Sequence, residues 1–338
     1  MRGVVLDAPG DLRTRSLLDV REPRSLEAVV RIRRVGVCGT DYHAFHGDQP
    51  FFSYPRVLGH ELGVEVVAIG DGVHDLRAGD RCAVRPYLNC GRCPACRRGK
   101  PNCCPFLQVL GVHVDGGMCE YAVVPVSHLH PAPTLSFEQL ALVEPLAIGA
   151  HAVARAQLVE DECVLVVGVG PIGLAVTEFA LLAGAQVIAM DINEQRLAFC
   201  QQRWPMVTCL DARDNPVKTL EELVGNDLPL AVFEATGNSE SMHTSFSYVG
   251  YGGRVVFVGL FPGDVMLHDP LFHSREVTLL ASRNALADDF QHIIDALQSE
   301  RLDVDAWVTH RTELENVPGT FAEWSDPQSG VVKGLIVV

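Results

Sequence analysis

The sequence predicts an α/β protein, with a β-rich first part and a doubly wound parallel sheet in its middle. Three observations carry that prediction. Residues 164–282 contain short, almost wholly apolar runs with helical patterns between several of them. Strands apolar on both sides indicate a parallel sheet covered by helices on both faces. The glycine-rich turn Gly168-Val-Gly170-Pro171-Ile172-Gly173 stands between the first of these runs and the first helical pattern. Residues 1–145 instead break into short β segments at Pro, Gly and Asp.

Taken in order, residues 4–6, 28–35, 63–69 and 81–84 read as strands of the first part. The parallel strands of the middle are expected at 164–167, 186–190, 230–234, 255–258 and 277–281, with helices at 172–183 and 194–203. An amphipathic helix is expected over 288–299 and a terminal strand over 334–338. No internal repeat is visible.

With 338 residues, 48% of them hydrophobic and 20% charged, the chain can fill two cores and has no segment of disordered composition. A net charge of −15 without a basic patch excludes a nucleic-acid partner. An anionic substrate would need local Arg, Lys, His or metal charge against that field. The most apolar stretch, 164–176, is broken by glycines and a proline and is shorter than the ~20 residues of a spanning helix. The apolar run before Asp7 is too short for a signal peptide. A soluble, cytoplasmic protein with no membrane partner is expected. Its eleven cysteines suit metal ligation in a reducing compartment.

In the glycine turn, Gly168 permits the tight bend and Gly170 lets a pyrophosphate approach the backbone. Gly173 lets the helix pack closely on the strand. The helix then presents free N–H groups to phosphate. Asp191 closes the second apolar run, 23 residues after Gly168. An acid there accepts bonds from ribose hydroxyls and repels a 2′-phosphate, which favours NAD over NADP. Arg196, five residues on, is placed to flank the adenine and equally fits a solvated helix face.

Cys90, Cys93 and Cys96, followed by Cys103 and Cys104, put soft ligands on one loop rich in Gly and Pro. Four thiolates at such spacing close a tetrahedron around Zn²⁺, a site that supports folding and leaves no position for chemistry. Spacing alone does not choose between Cys103 and Cys104. Disulfides are the weaker alternative without a secretory signal. Cys82, Cys119, Cys163, Cys200 and Cys209 read as small buried apolar residues.

Three further groups carry potential chemistry. Cys38, Thr40 and His43 stand close together, His60 and Glu61 are adjacent, and Glu144 lies in an apolar run before Pro145. Taken singly, Cys38 reads as a core thiol and His60 as a hydrogen-bonded loop histidine. Thr40 reads as a helix N-cap and His43 as a surface residue. Spacing does not bring residues 38, 60 and 144 together.

Together with the lobe and the glycine turn, in the same order and over essentially the whole chain, these groups resemble the zinc-containing medium-chain dehydrogenases. That is the alcohol and sorbitol dehydrogenase superfamily. The resemblance implies a GroES-like catalytic domain over 1–145 and 285–338, with a zinc lobe at about 88–106, around a Rossmann NAD-binding domain over 146–284. It implies two zinc ions per chain. Cys38 and His60 would ligate the catalytic one, and Cys104 would be the fourth ligand of the structural one. Glu144 stands where alcohol dehydrogenases place a cysteine, as in polyol dehydrogenases. Either Glu61 coordinates while Glu144 holds a water, or the two exchange. The cofactor-facing set is Gly168, Gly170, Pro171, Ile172, Gly173, Asp191, Arg196, Val258, Ser282 and Asn284.

The same resemblance implies a proton path from the substrate hydroxyl through Thr40 and the nicotinamide ribose to His43. An imidazole suits that end of the path because its ordinary pKa is about 6.5. Segments 47–60, 110–117 and 282–285 are similar to the bacterial L-galactonate and L-gulonate 5-dehydrogenases. They imply oxidation of the C5 hydroxyl of a sugar acid, with a sorbitol-like polyol as the alternative. Arg283 and His113 are the expected carboxylate partners, and a homodimer or homotetramer the expected assembly. Two rivals stand beside this. A zinc-free reductase would not need two ligand sets, and a non-catalytic nucleotide-binding protein would not need Cys38, Thr40, His43, His60 and Glu144 together.

Overall fold

A computed structural model describes all 338 residues. The chain forms two compact units, Met1–Glu144 with Ala285–Val338, and Pro145–Asn284.

The first unit is built around strand Glu27–Val37, which pairs antiparallel with Glu61–Ile69, Tyr121–Pro125 and the C-terminal strand Lys333–Val337. The sheet continues through Arg81–Val84 to Leu129–Pro131 on one side and to Val308–Glu313 on the other. β-Branched residues at alternate positions, among them Val30, Ile32, Val64 and Val66, bury one face against Leu58, Met118 and Phe321. The tail is thus part of this core. Phe321, on helix Val317–Trp324, meets the tilted ring of Tyr42 at 5.2 Å and that of Phe45 edge-on at 5.4 Å. Gly334 leaves the space that the Trp324 indole fills, because a Cβ there would meet the ring.

The second unit is a six-stranded, all-parallel sheet. Its order is Thr208–Asp211, Gln186–Asp191, Cys163–Val167, Ala231–Glu234, Arg254–Phe257, Thr278–Ala281. The central strands are buried along their length, as their unbroken apolar runs require. Strand Thr208–Asp211 was not expected from the sequence, and its position explains why: at the sheet edge none of its residues is fully buried, so it carries no unbroken apolar run. Helices Pro171–Leu182 and Glu194–Arg203 follow the first two strands of the chain order. Asn193 caps the second, its side chain accepting from the N–H groups of Gln195 and Arg196.

One element departs from the expectation of β segments up to residue 145. Phe137–Ala156 is a 20-residue helix with Pro145 in its interior. Its start is a capping box: Ser136 Oγ accepts from Gln139 N–H at 3.1 Å, and Gln139 Oε1 accepts from Ser136 N–H at 2.9 Å. No helix of the chain is long and apolar enough to cross a membrane.

Candidate active site and metal centres

The lobe is assembled by local turns. Cys93 is the N-cap of the short helix Pro94–Arg97 and accepts from Cys96 N–H, which turns Cys96 back onto it. The Cys93 and Cys96 sulfurs stand 3.4 Å apart and those of Cys93 and Cys104 3.8 Å. The ligand atoms of Cys90, Cys93, Cys96 and Cys104 all lie within 4.8 Å of one another, whereas Cys103 is exposed. Cys104 is therefore the fourth member. Bonds from the Arg92 and Cys93 backbone hold the Cys90 thiol down at about 6, while burial and its bond with Cys93 push Cys96 up to about 11. Sulfurs this close ionise together only with a cation between them, which is what a closed zinc site provides.

The second group is assembled from distant segments. Cys38 directly follows strand Glu27–Val37 and is the N-cap of helix Gly39–His46. Thr40 therefore lies inside the first turn of that helix and is not its N-cap. His60 directly precedes the neighbouring strand Glu61–Ile69, which Glu61 opens. One ligand atom from each of Cys38, His60 and Glu61 lies within 4.8 Å of the others. Three mixed donors with a fourth position left over are the pattern of a catalytic zinc. Electrostatics agree. Burial by itself lowers the His60 imidazole, but Cys38, Asp41 and Glu144 outweigh burial and raise it well above its ordinary value. A buried place where anionic neighbours favour positive charge suits a dication.

Glu144, on helix Phe137–Ala156, lies outside that group of three ligand atoms, so Glu61 is the carboxylate the geometry puts among them. The Tyr87 hydroxyl donates to Glu144 Oε1. Burial raises Glu144 to about 7, with Glu61 adding to the rise and His60, Tyr87 and Lys333 opposing it. Thr40 and His43 sit three residues apart on helix Gly39–His46, hence on neighbouring turns of one face. His43 is 63% exposed, with Nδ1 3.0 Å from Asp48 Oδ1.

Three residues here were not singled out from sequence. Asp41 is buried, accepts from Cys38 N–H at 2.9 Å and from Gly59 N–H at 3.4 Å, and so fixes the backbone on both sides of the group, with His60 Nδ1 3.8 Å away and without a hydrogen-bond partner. An acid at the third position of a helix was its available signal. Lys333, a lone cation in an apolar terminal strand, donates to both oxygens of Glu61. Tyr87 gave no signal at all.

In the second unit Gly168 has φ +87°, and Gly170 is the N-cap of helix Pro171–Leu182. A Cβ at Gly173 would meet the Gly168 carbonyl, so the close helix–strand approach needs glycine there. Asp191 accepts from Val169 N–H at 2.8 Å and Asn193 N–H at 2.9 Å, with Arg196 4.0 Å away. Val258 follows strand Arg254–Phe257, and Ser282, Arg283 and Asn284 follow strand Thr278–Ala281. Ser282 Oγ is buried without a protein partner, the sort of orphan that a bound ligand satisfies. Arg283 is exposed. His113 lies in the first unit, where its Nδ1 accepts from Val109 N–H at 3.1 Å and its ring stacks on Phe51.

Residues 24–134 match the alcohol dehydrogenase GroES-like domain family and residues 171–299 the zinc-binding dehydrogenase family. L-galactonate-5-dehydrogenase of Escherichia coli K12 is 41% identical to this chain over 93% of it and 92% of its own length. L-arabinitol 4-dehydrogenase of Aureobasidium melanogenum is 31% identical over 91% and 86%. The solved structure of the alcohol dehydrogenase rspB from E. coli CFT073, complexed with NADH, superposes with a TM-score of 0.92 at 28% identity. That match covers 100% of this chain and 99% of the other. The chain therefore belongs to the zinc-binding medium-chain dehydrogenases and is a zinc- and NAD(H)-dependent oxidoreductase.

Proposed function

We propose that this enzyme oxidises the C5 hydroxyl of a six-carbon sugar acid, with L-galactonate the leading candidate and L-gulonate the next. The observation that carries the reading is the Cys38, His60 and Glu61 group with Glu144 beside it, in a chain 41% identical to an L-galactonate-5-dehydrogenase. A zinc ion held by Cys38, His60 and Glu61 would supply Lewis acidity, lowering the pKa of a substrate hydroxyl towards neutrality. Thr40 takes the hydroxyl proton and passes it towards His43, whose exposure lets it release the proton to solvent. Asp41 holds the backbone at Cys38 and Gly59 and puts its negative charge beside His60, and Tyr87 orients Glu144. The glycine turn and Asp191 hold the dinucleotide, with NAD preferred to NADP.

Arg283 is the residue we favour for the substrate carboxylate, with His113 second. A protein of net charge −15 must supply a local cation to hold an anion. The relative acting on L-arabinitol favours a second reading, a neutral polyol substrate. The test compares aldonates with the matching polyols, first in the wild type and then in Arg283→Met. Equal turnover of acids and polyols by the wild type would replace the sugar acid with a polyol. An acid preference that survives Arg283→Met would keep the substrate class and remove Arg283 from it.

The same proposal includes a homo-oligomer in a reducing, cytoplasmic setting. Edge strand Thr278–Ala281 is largely exposed, with Leu279 41% accessible, and such an edge invites pairing with a second copy. Light scattering on the purified protein decides it, a monomer at micromolar concentration being the contrary result.

A further inference from the structure

One buried cation ties together the strands that carry the candidate ligands. Strand Glu27–Val37 ends one residue before Cys38, and strand Glu61–Ile69 begins directly after His60. Gly36 faces Glu61 across the first pairing, and Gly334 faces Val37 across the pairing with the C-terminal strand. A side chain at Gly36 would run into the Glu61 carboxylate, so the glycine makes the space in which that carboxylate lies. The Lys333 ammonium enters the same space. Its Nζ donates to Glu61 Oε1 at 2.7 Å, to Oε2 at 2.8 Å and to the Val37 carbonyl at 3.2 Å.

Lys333 and Glu61 are both wholly buried. An ion pair buried this deeply is a weak stabiliser, because removing both charges from water offsets most of their attraction. Its presence calls for another reason, and the neighbours supply one. Lys333 holds both oxygens of the carboxylate, one of which a metal between Cys38, His60 and Glu61 would use. We propose that Lys333 is a positioning residue of the catalytic metal centre, competing for Glu61 so that this carboxylate stays a weak, displaceable ligand and the fourth position stays open to substrate. The inference rests on the reading that this group holds zinc.

Its consequence has a sign opposite to that of a simple strut. Without the ammonium, Glu61 is buried and unpaired in the metal-free chain, which destabilises that state. In the loaded chain the same carboxylate is free to bind the metal fully. Both effects favour the loaded state, so zinc is held more tightly. A strut would act the other way, since loosening the strands that carry the ligands would let the metal go.

The experiment uses the full-length, zinc-loaded protein. Zinc release to a chromogenic chelator is followed for wild type, Lys333→Met and Lys333→Arg, with the lobe zinc as internal standard. Release from the active centre of Lys333→Met should be about tenfold slower than from wild type, the size of an outer-shell effect. Lys333→Arg, which keeps the cation, should stay near wild type, and lobe release should not change. Release from Lys333→Met at the wild-type rate or faster overturns the proposal. If Lys333→Met does not fold, Lys333→Gln takes its place with the same two outcomes. A wild type that carries only the lobe zinc overturns the reading of the site itself, and is distinguishable because it appears before any substitution is made.

Discussion

The two metal centres of the first unit are made in opposite ways. The lobe takes all four sulfurs from one loop, Cys90 to Cys104, and its turns bring them together without help from the rest of the fold. The other centre takes Cys38 from a strand end, His60 and Glu61 from a neighbouring strand, and is backed by Lys333 from the last strand and Glu144 from a long helix. Local ligation gives a closed, uniform set of soft ligands suited to holding a fold. Distributed ligation gives mixed donors, an open position and several independent supports that tune the site.

Substitutions in the two centres should therefore fail differently. The largest effect is expected from His60→Ala, which should cut turnover on the order of a thousandfold or more. The melting temperature and the lobe zinc should be nearly unchanged. A His60→Ala enzyme with substantial turnover would remove the distributed centre from catalysis. Next in size is Cys93→Ser, which opens the closed site. Its melting temperature should fall by roughly 10 °C, with activity lost through unfolding rather than at constant fold. Full stability with three sulfurs would mean that the lobe carries no folding energy.

The dinucleotide turn is a third, locally encoded site, and it should respond to one change without disturbing either zinc. Asp191→Ser should narrow the preference for NAD⁺ over NADP⁺ by about tenfold in kcat/KM. It should also cost some stability, because Asp191 caps the Val169 and Asn193 N–H groups. Equal kcat/KM for the two cofactors in wild type would refute the role of Asp191.

The same contrast marks what the sequence could disclose. The lobe and the glycine turn were legible because their chemistry lies in residues a few positions apart, although spacing left the fourth lobe ligand open between Cys103 and Cys104. The parallel strands were legible because burial on both faces leaves unbroken apolar runs. Helix Phe137–Ala156 was not, since Pro145 argues against a helix interior, although the Ser136 and Gln139 capping box was readable. Lys333 meets Glu61 across 272 positions and Tyr87 meets Glu144 across 57, so neither pairing has any local trace. Cys38, His60 and Glu144 were legible as members of a family pattern, but only the fold puts Glu61 rather than Glu144 among the three ligand atoms.

A smaller effect should follow pH through the supports of the distributed centre. His128 Nε2 lies 3.1 Å from the Tyr87 carbonyl oxygen, on the residue that orients Glu144, and His130 stacks on Phe290. Burial, helped by the Arg85 guanidinium, pushes both imidazoles down to about 4. Each is therefore neutral in the folded chain down to about pH 4, but takes a proton in the unfolded chain below about 6.5. Between those values the unfolded state binds more protons, so stability falls as pH falls through 6.5 towards 4. The cost at pH 5 should be about 1–2 kcal/mol for each histidine relative to pH 7. Denaturant unfolding of wild type and His130→Gln at the two pH values measures it. A difference between the proteins that does not change with pH would contradict this assignment.

The central claim is that the two centres divide folding from catalysis, and one titration tests it most directly. Zinc content and NAD⁺-linked turnover are followed together while the wild-type protein is dialysed against a chelator. Turnover should fall in proportion to the loss of the first zinc, reaching zero with one zinc per chain still bound and the fold intact by circular dichroism. Full turnover in protein that retains only the lobe zinc, or loss of both ions in a single step with unfolding, would contradict the account.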